Sequence, residues 1–177
     1  MNEKLYHMVP KEMKGDKLVP LSKLKELDAD LYQKEINKYK GREHLVGQVI
    51  PTLKEARWED VLNFSPVHPS IIQAELDKYG KKLDSNEFFE IDPHLLDKEQ
   101  TTVFLHKYND LENKLEDGNF VEYNPNQLSL YSEMSQEVKD YYKKEVTEGK
   151  DPRPYHKIPH ILHKGEFDIS KVKKIKI

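Results

Sequence analysis

The chain has 177 residues, with 29 lysines and arginines, 32 aspartates and glutamates, and a formal net charge of −3. This length fits one domain that can bury its own core. Because the chain has no cysteine, disulfides, iron–sulfur clusters, thiolate metal sites and a cysteine nucleophile are excluded. The near-neutral charge gives no indication of a basic nucleic-acid-binding domain, although nucleic acid is not excluded as a partner.

The composition also favours a folded chain outside the membrane. Aromatic residues make up 10% of the sequence, which is unusual for a disordered chain. No run approaches the ~20 apolar residues of a membrane helix, so we expect no membrane partner. The N-terminal residues lack the apolar segment and cleavage site of a signal peptide. We therefore expect a cytoplasmic protein, with export as the alternative that a cysteine-free chain leaves open.

The first half of the chain is predicted to mix strands and helices. Leucines recur at helical spacing after Pro20, which predicts an amphipathic helix ending near Gly41. The sequence His68-Pro69-Ser70 is typical of a helix start, and Gly80 is the expected C-cap. The predicted elements are strands at 5–9 and 58–64, and helices at 20–41, within 42–53, and at 68–80.

The second half is predicted to be mostly strand, because its short apolar runs are rich in β-branched and aromatic residues. The exception is a helix at 135–149 with Ser135 as N-cap. The polar stretch 108–117 is either a short helix or a loop. The predicted strands are 88–91 and 101–106, flanking a turn at Asp92-Pro93; 120–123; and 158–163 and 172–177, joined by a turn around Gly165.

The irregular alternation of these elements predicts a single α+β domain over residues 1–177. We expect a mostly antiparallel or split β-sheet with flanking helices. Neither of the two common glycine-rich phosphate loops, GxGxxG and GxxxxGK[ST], occurs in the sequence. A nucleotide site, if the chain has one, must therefore use other residues.

Three histidines, His156, His160 and His163, fall within eight residues and are compatible with zinc binding. Prolines at 154 and 159 argue against a helix that would place them on one face. On a strand, His160 and His163 would point to opposite faces. The set is thus either a small metal site or one buried histidine with solvated neighbours. We favour the second interpretation and expect no metal.

His7 lies within the apolar run LYHMV and by alternation shares a face with Leu5 and Val9. A histidine on an apolar strand costs desolvation energy unless it meets a partner. It is therefore either a hydrogen-bonded core histidine or a site residue that donates a hydrogen bond to a ligand.

Arginine is scarce, and two of the three arginines have suggestive positions. Arg42 follows Gly41 at a predicted helix start, where an anion is favoured. Arg153 lies between two prolines, just before the histidine set. Arginine binds phosphate bidentately, so both are candidate phosphate ligands. A surface ion pair is the alternative for each.

Three blocks of the sequence resemble the ADP-ribosyltransferase superfamily. The opening LYHMVPKEMKGDKLVPL is similar to its histidine-bearing first strand and the segment that follows. WEDVLNFSPVHPSII resembles its next strand and helix. IPHILHKGEFDISKVKKIKI is similar in rhythm to the end of the DNA-modifying branch, where the strand with the catalytic acid precedes a turn and a last strand. The resemblance implies an ADP-ribosyltransferase-like fold, NAD as cofactor, and an unidentified macromolecular acceptor.

On this resemblance, His7 is the family histidine that holds a ribose hydroxyl or the carboxamide of NAD, and His160 takes the position of the catalytic glutamate. Histidine cannot supply the negative charge that stabilises an oxocarbenium-like state. Either Glu166 or Glu122 takes that role, or the chemistry differs, or the fold persists without activity. Superfamily members that act on RNA 2′-phosphate use histidine and arginine instead of the acid. Three rings would stack on nicotinamide or adenine, with core packing as the favoured alternative: Trp58, Tyr123 and Tyr131.

The leading hypothesis is thus an ADP-ribosyltransferase-like protein that binds NAD or a related nucleotide in a cleft lined by His7, Arg42 and His160. We expect the two histidines on neighbouring strands, facing that cleft. A rival from another class is a non-catalytic interaction module, in which the Tyr-rich segment 123–142 forms a partner surface, since tyrosine is enriched at interfaces. The predicted cofactor-binding residues are Arg42, Trp58, Tyr123, Tyr131 and Arg153.

Overall fold

A computed structural model describes residues 3–107 and 114–177, and the statements below concern those residues. They form nine strands in three antiparallel sheets, with five α-helices packed around them. The predicted α+β class and antiparallel pairing are therefore confirmed. The expectation for 108–117 falls mostly outside the described residues.

The strands belong to a three-stranded sheet with the order β1-β4-β9, a two-stranded sheet β2-β8, and a four-stranded sheet with the order β3-β7-β5-β6. Their bounds are β1 Leu5–Met8, β2 Lys17–Leu18, β3 Val61–Phe64, β4 Glu87–Ile91, β5 Thr101–Phe104, β6 Phe120–Glu122, β7 His160–Lys164, β8 Phe167–Asp168 and β9 Lys173–Lys176. The helices are α1 Leu21–Leu27, α2 Ala29–Asn37, α3 Glu43–Val46, α4 Pro69–Asp77 and α5 Gln136–Thr147.

The two larger sheets meet at one residue pair and then separate. Tyr6 and Ser65 exchange two backbone hydrogen bonds, each 2.9 Å long. An antiparallel ladder would next join Met8 to Asn63. Instead, the Asn63 carbonyl oxygen lies 2.9 Å from Nδ1 of His7. The His7 side chain thus occupies a ladder position at the point where β1 and β3 diverge.

Several predicted elements differ in detail from the structure. The helix expected over 20–41 is two helices, because Asp28 adopts an extended conformation and its side chain accepts a hydrogen bond from the Leu31 amide (3.0 Å). The strand expected over 58–64 begins with a 3-10 turn, Trp58–Asp60. β4 and β5 are consecutive strands but lie in different sheets. The predicted turn around Gly165 does not join β7 directly to β9, because β8 lies between them and each of the three strands belongs to a different sheet.

The buried side chains form three clusters. One lies between the two larger sheets, the second on the other face of the four-stranded sheet, and the third between α4 and α5. Each fully buried large apolar side chain contributes roughly 1.5–3 kcal/mol to stability. Large fully buried side chains in these clusters include Tyr123, Phe64 and Phe89 in the first, Phe104 and Ile50 in the second, and Tyr142, Ile72 and Leu76 in the third. None of the helices described is both long and apolar enough to cross a bilayer.

Candidate functional site

Three imidazole rings come together at one end of the four-stranded sheet. β5 and β7 pair antiparallel with Phe104 opposite His160, so the end of β5 lies beside the start of β7. His106 follows β5 by two residues, His160 opens β7, and His156 lies in the turn before it. The His106 ring centroid is 4.9 Å from that of His156 and 5.3 Å from that of His160. We call His106, His156 and His160 the imidazole cluster.

Aromatic rings support the imidazole cluster from two sides. The ring of Phe104 lies beneath it, with centroids 5.1 Å from His106 and 6.1 Å from His160. The Tyr141 ring, from α5, packs 4.5 Å from His156. The Tyr141 hydroxyl accepts a hydrogen bond from the backbone amide of Arg153 (3.1 Å), which ties the loop carrying that arginine to the cluster.

Burial and mutual repulsion keep two of the rings uncharged. Burial lowers the pKa of His106 to about 2, with the neighbouring His160, His156 and Arg153 adding to the effect. Burial likewise lowers the pKa of His160 to about 4, with a smaller contribution from His156. Near neutral pH each of these two rings therefore has one N–H donor and one lone pair. Strongly shifted pKa values of this kind are concentrated at functional sites.

The backbone beside the imidazole cluster is strained. Of the three non-glycine residues with left-handed φ in the described part of the chain, two belong here: His106, with φ 60°, and Lys157, with φ 66°. The third is Glu55, with φ 56°. A side chain in this conformation costs roughly 1–2 kcal/mol. Such strain persists where surrounding structure enforces it and is common at functional sites.

Replacing Lys157 with glycine is expected to stabilise the protein by about 0.5–1 kcal/mol. Glycine removes the left-handed penalty, but it also raises the entropy of the unfolded chain and deletes the 2.6 Å ion pair between Lys157 and the exposed Glu137, and both effects reduce the gain. Glu55→Gly should give a similar gain, since its backbone conformation matches. Lys143→Gly, inside helix α5, should lose about 1 kcal/mol. Urea unfolding of the three variants measures these changes, and a loss for Lys157→Gly would contradict the strain.

His7 does not belong to the imidazole cluster. Its ring packs 5.5 Å from Phe64, which is paired with Ile161 and faces the first core cluster. His160 is the residue before Ile161, so its side chain leaves the other face of the sheet. Contrary to our expectation, the structure does not bring His7 and His160 to one cleft. Burial also lowers the pKa of His7, which fits a neutral ring in the core.

Arg42 and Trp58 both contact Tyr39. The Arg42 guanidinium sits 5.5 Å over the Tyr39 ring and donates to the Lys38 carbonyl (2.9 Å). Trp58 is only 6% exposed; its Nε1 donates to the Tyr39 hydroxyl (2.9 Å), and its ring meets Phe104. These contacts favour core packing for Trp58 over stacking on a nucleotide.

Tyr123 and Tyr131 pack against the first core cluster. Tyr123 is buried, and its hydroxyl donates to the Pro93 carbonyl (2.7 Å). Tyr142 is also buried and donates to the Pro154 carbonyl. Because two of the tyrosines of segment 123–142 point inward, that segment offers less of a tyrosine surface than the interaction-module hypothesis requires.

Arg153 is exposed and is the predicted cofactor-binding residue that lies next to the imidazole cluster, where it acts electrostatically on His106. The two carboxylates considered as replacements for the family glutamate are elsewhere. Glu166 follows the far end of β7 and pairs with Lys23 and Lys17 at 3.2 and 3.4 Å. Glu122 is exposed at the end of β6, paired with Thr102.

His163, the third member of the histidine set in sequence, faces away from the imidazole cluster. The Thr101 hydroxyl donates to the Asp97 carbonyl (2.6 Å), so it must accept from Nδ1 of His163, 2.9 Å away. His163 is thus a hydrogen-bonded core residue. Among the residues with described placement, no three histidine, aspartate or glutamate side chains are arranged to hold a metal ion.

Sequence reasoning missed His106 and Tyr141 as members of this site. Each is far along the chain from His160, and neither lies in a recognisable motif. Pairing of β5 with β7 would have been the signal for His106, but that pairing is set by the whole fold.

Comparison with protein-family models, with curated proteins and with solved structures gives no match for this chain. Function must therefore be inferred from the residues themselves.

Proposed function

We propose that this chain binds a nucleotide such as NAD and is an ADP-ribosyltransferase-like protein with a histidine and arginine site. The ligand's phosphates would lie at the imidazole cluster, beside Arg153. One observation carries the proposal: three imidazole rings contact one another at one end of the four-stranded sheet, next to an exposed arginine.

The chemistry of these groups suits a phosphate. Imidazoles supply N–H donors in either protonation state, and the guanidinium supplies a planar set of donors with a permanent charge. Arg153 lowers the pKa of the His106 ring through its charge, so the two lie within each other's field. An anion between them would be stabilised by both.

His160 has a different part here from that of a catalytic glutamate. A neutral imidazole cannot balance an oxocarbenium-like charge, but it can donate a hydrogen bond to the ligand or accept a proton from an acceptor group. His7 lies on the other face of the sheet, where its side chain bridges strands β1 and β3 as the two sheets separate. Its contact with the Asn63 carbonyl favours a structural part for that residue.

The proposal is tested by the thermal and urea stability of the protein with NAD, ADP-ribose and ADP. A ligand at ~100 times its Kd should add roughly 2.7 kcal/mol to the free energy of unfolding. His160→Gln should weaken binding at least tenfold, because a hydrogen bond to a charged group contributes about 1.5–3 kcal/mol. His44→Gln, at an exposed position on α3, is the matched control and should bind like the wild type.

Two outcomes would count against the proposal. No stabilisation by any of the three nucleotides would remove nucleotide binding. Equal affinity of His160→Gln and His44→Gln would place the ligand elsewhere. Release of nicotinamide from NAD, followed by chromatography, separates a transferase from a protein that only binds the nucleotide.

A further inference from the structure

We propose that the imidazole cluster takes up a proton when it binds a phosphate group. The bound phosphate is then held by an imidazolium ring, so that nucleotide affinity rises as the pH falls. This inference rests on the proposed function and concerns how the same site is regulated.

The reason lies in the crowding of the rings. His106 has two other imidazoles with centroids within 5.3 Å, and Phe104 closes one side. In the free protein Arg153 already carries a positive charge beside the cluster. Protonation of a ring is therefore opposed both by its neighbours and by the loss of water around it. A phosphate placed among the rings reverses that balance, because its negative charge stabilises the imidazolium form.

The charged and titratable groups that face the cluster come from five places in the fold. The segment after β5 contributes His106, the turn before β7 contributes His156, and β7 itself contributes His160. Helix α5 contributes the Tyr141 ring against His156, and the loop after α5 contributes Arg153. Of these described groups, Arg153 is permanently charged, and it favours both the neutral rings before binding and the anion afterwards.

The sign of the pH dependence follows from linkage. The pKa values of His106 and His160 lie below 6.5 in the free protein, and a bound anion raises them. Where the pH lies between the free and the bound values, the complex holds more protons than the free protein, so a lower pH favours binding. Uptake of one proton corresponds to a tenfold gain in affinity for each unit by which the pH falls.

Isothermal titration calorimetry with NAD tests this directly. The pyrophosphate of NAD does not titrate near neutral pH, so any proton uptake comes from the protein. Titrations at pH 6.5 and 7.5, each in two buffers of different ionisation enthalpy, give the number of protons taken up. We expect a positive uptake that is larger at pH 6.5 than at pH 7.5, and a Kd that is lower at pH 6.5.

Variants separate this inference from the proposed function. His44→Gln should take up as many protons as the wild type, and His160→Gln should take up fewer. Wild-type binding of NAD without proton uptake would overturn the inference and leave nucleotide binding standing. Unchanged uptake in His160→Gln would likewise overturn it. The absence of NAD binding at either pH would overturn both.

Discussion

The free energy of unfolding is expected to fall steeply as the pH is lowered from 6.5 towards 4.5. Burial lowers the pKa of four histidines in the folded chain, two of them in the imidazole cluster: His7, His106, His160 and His163. In the unfolded chain each of these histidines has a pKa near 6.5. Below that pH the unfolded chain therefore binds protons that the folded chain does not. Protonation therefore pulls the equilibrium towards the unfolded state.

The magnitude follows from the pH window of each group. Stability from a histidine with a lowered pKa is fully present above the unfolded value and is lost as the pH falls towards the folded value. For His160 that window runs from 6.5 to about 4, which corresponds to a loss of about 3 kcal/mol at 1.36 kcal/mol per pKa unit. His94 has the opposite sign, because its bonds to Asn126 and Asp92 raise its pKa. Its contribution is retained in acid.

Urea unfolding at half-unit steps between pH 7 and 4.5 measures this slope. The window lies mostly above the range in which carboxylates titrate, so the slope reports on histidines. His160→Gln should be less pH-dependent by up to about 1.4 kcal/mol per unit, whereas His44→Gln should keep the wild-type slope. A free energy of unfolding that stays constant over this range would show that the four rings bind protons as readily in the folded chain as in the unfolded chain.

The parts of the fold that could be predicted are those written in neighbouring residues. His68-Pro69-Ser70 opens helix α4, and the His68 ring accepts from the Ser70 amide (3.1 Å). Ser135 caps helix α5 in the same way. Both are local hydrogen bonds that need no knowledge of the rest of the chain. The positions of most strands could also be predicted, since the runs of β-branched and aromatic residues coincide with seven of the nine strands described.

Strand pairing and the candidate site could not be read in this way. β4 and β5 look like a hairpin in sequence, yet β4 pairs with β1 and β9, whereas β5 pairs with β6 and β7. Sheet partners are chosen by which apolar faces can be buried together, and that depends on every strand at once. The imidazole cluster depends on the β5–β7 pairing. The sequence therefore indicated two of its three members, His156 and His160, but not His106. His163 is adjacent in sequence but lies on the other face, because strand side chains alternate.

Phe104→Ala is expected to lower the free energy of unfolding by about 3–5 kcal/mol, the usual cost of deleting a buried aromatic ring. Phe104 has no exposed surface, and its ring meets Trp58 at 5.4 Å and Phe120 at 5.2 Å. The same ring supports His106 and His160. Its removal should therefore also admit water to the imidazole cluster and raise the pKa of those two rings towards the ordinary value.

The second effect distinguishes a supporting ring from any other core residue. If water enters the imidazole cluster, His106 and His160 become easier to protonate in the folded chain, and the loss of stability between pH 6.5 and 4.5 becomes shallower. Phe104→Leu, which leaves a smaller cavity, should fold and show the same trend less strongly. Leu130→Ala, at a side chain that is 70% exposed, should change stability by less than about 0.5 kcal/mol and leave the slope alone. A Phe104→Leu protein that is destabilised but keeps the full acid slope would mean that Phe104 packs the core without shielding the histidines.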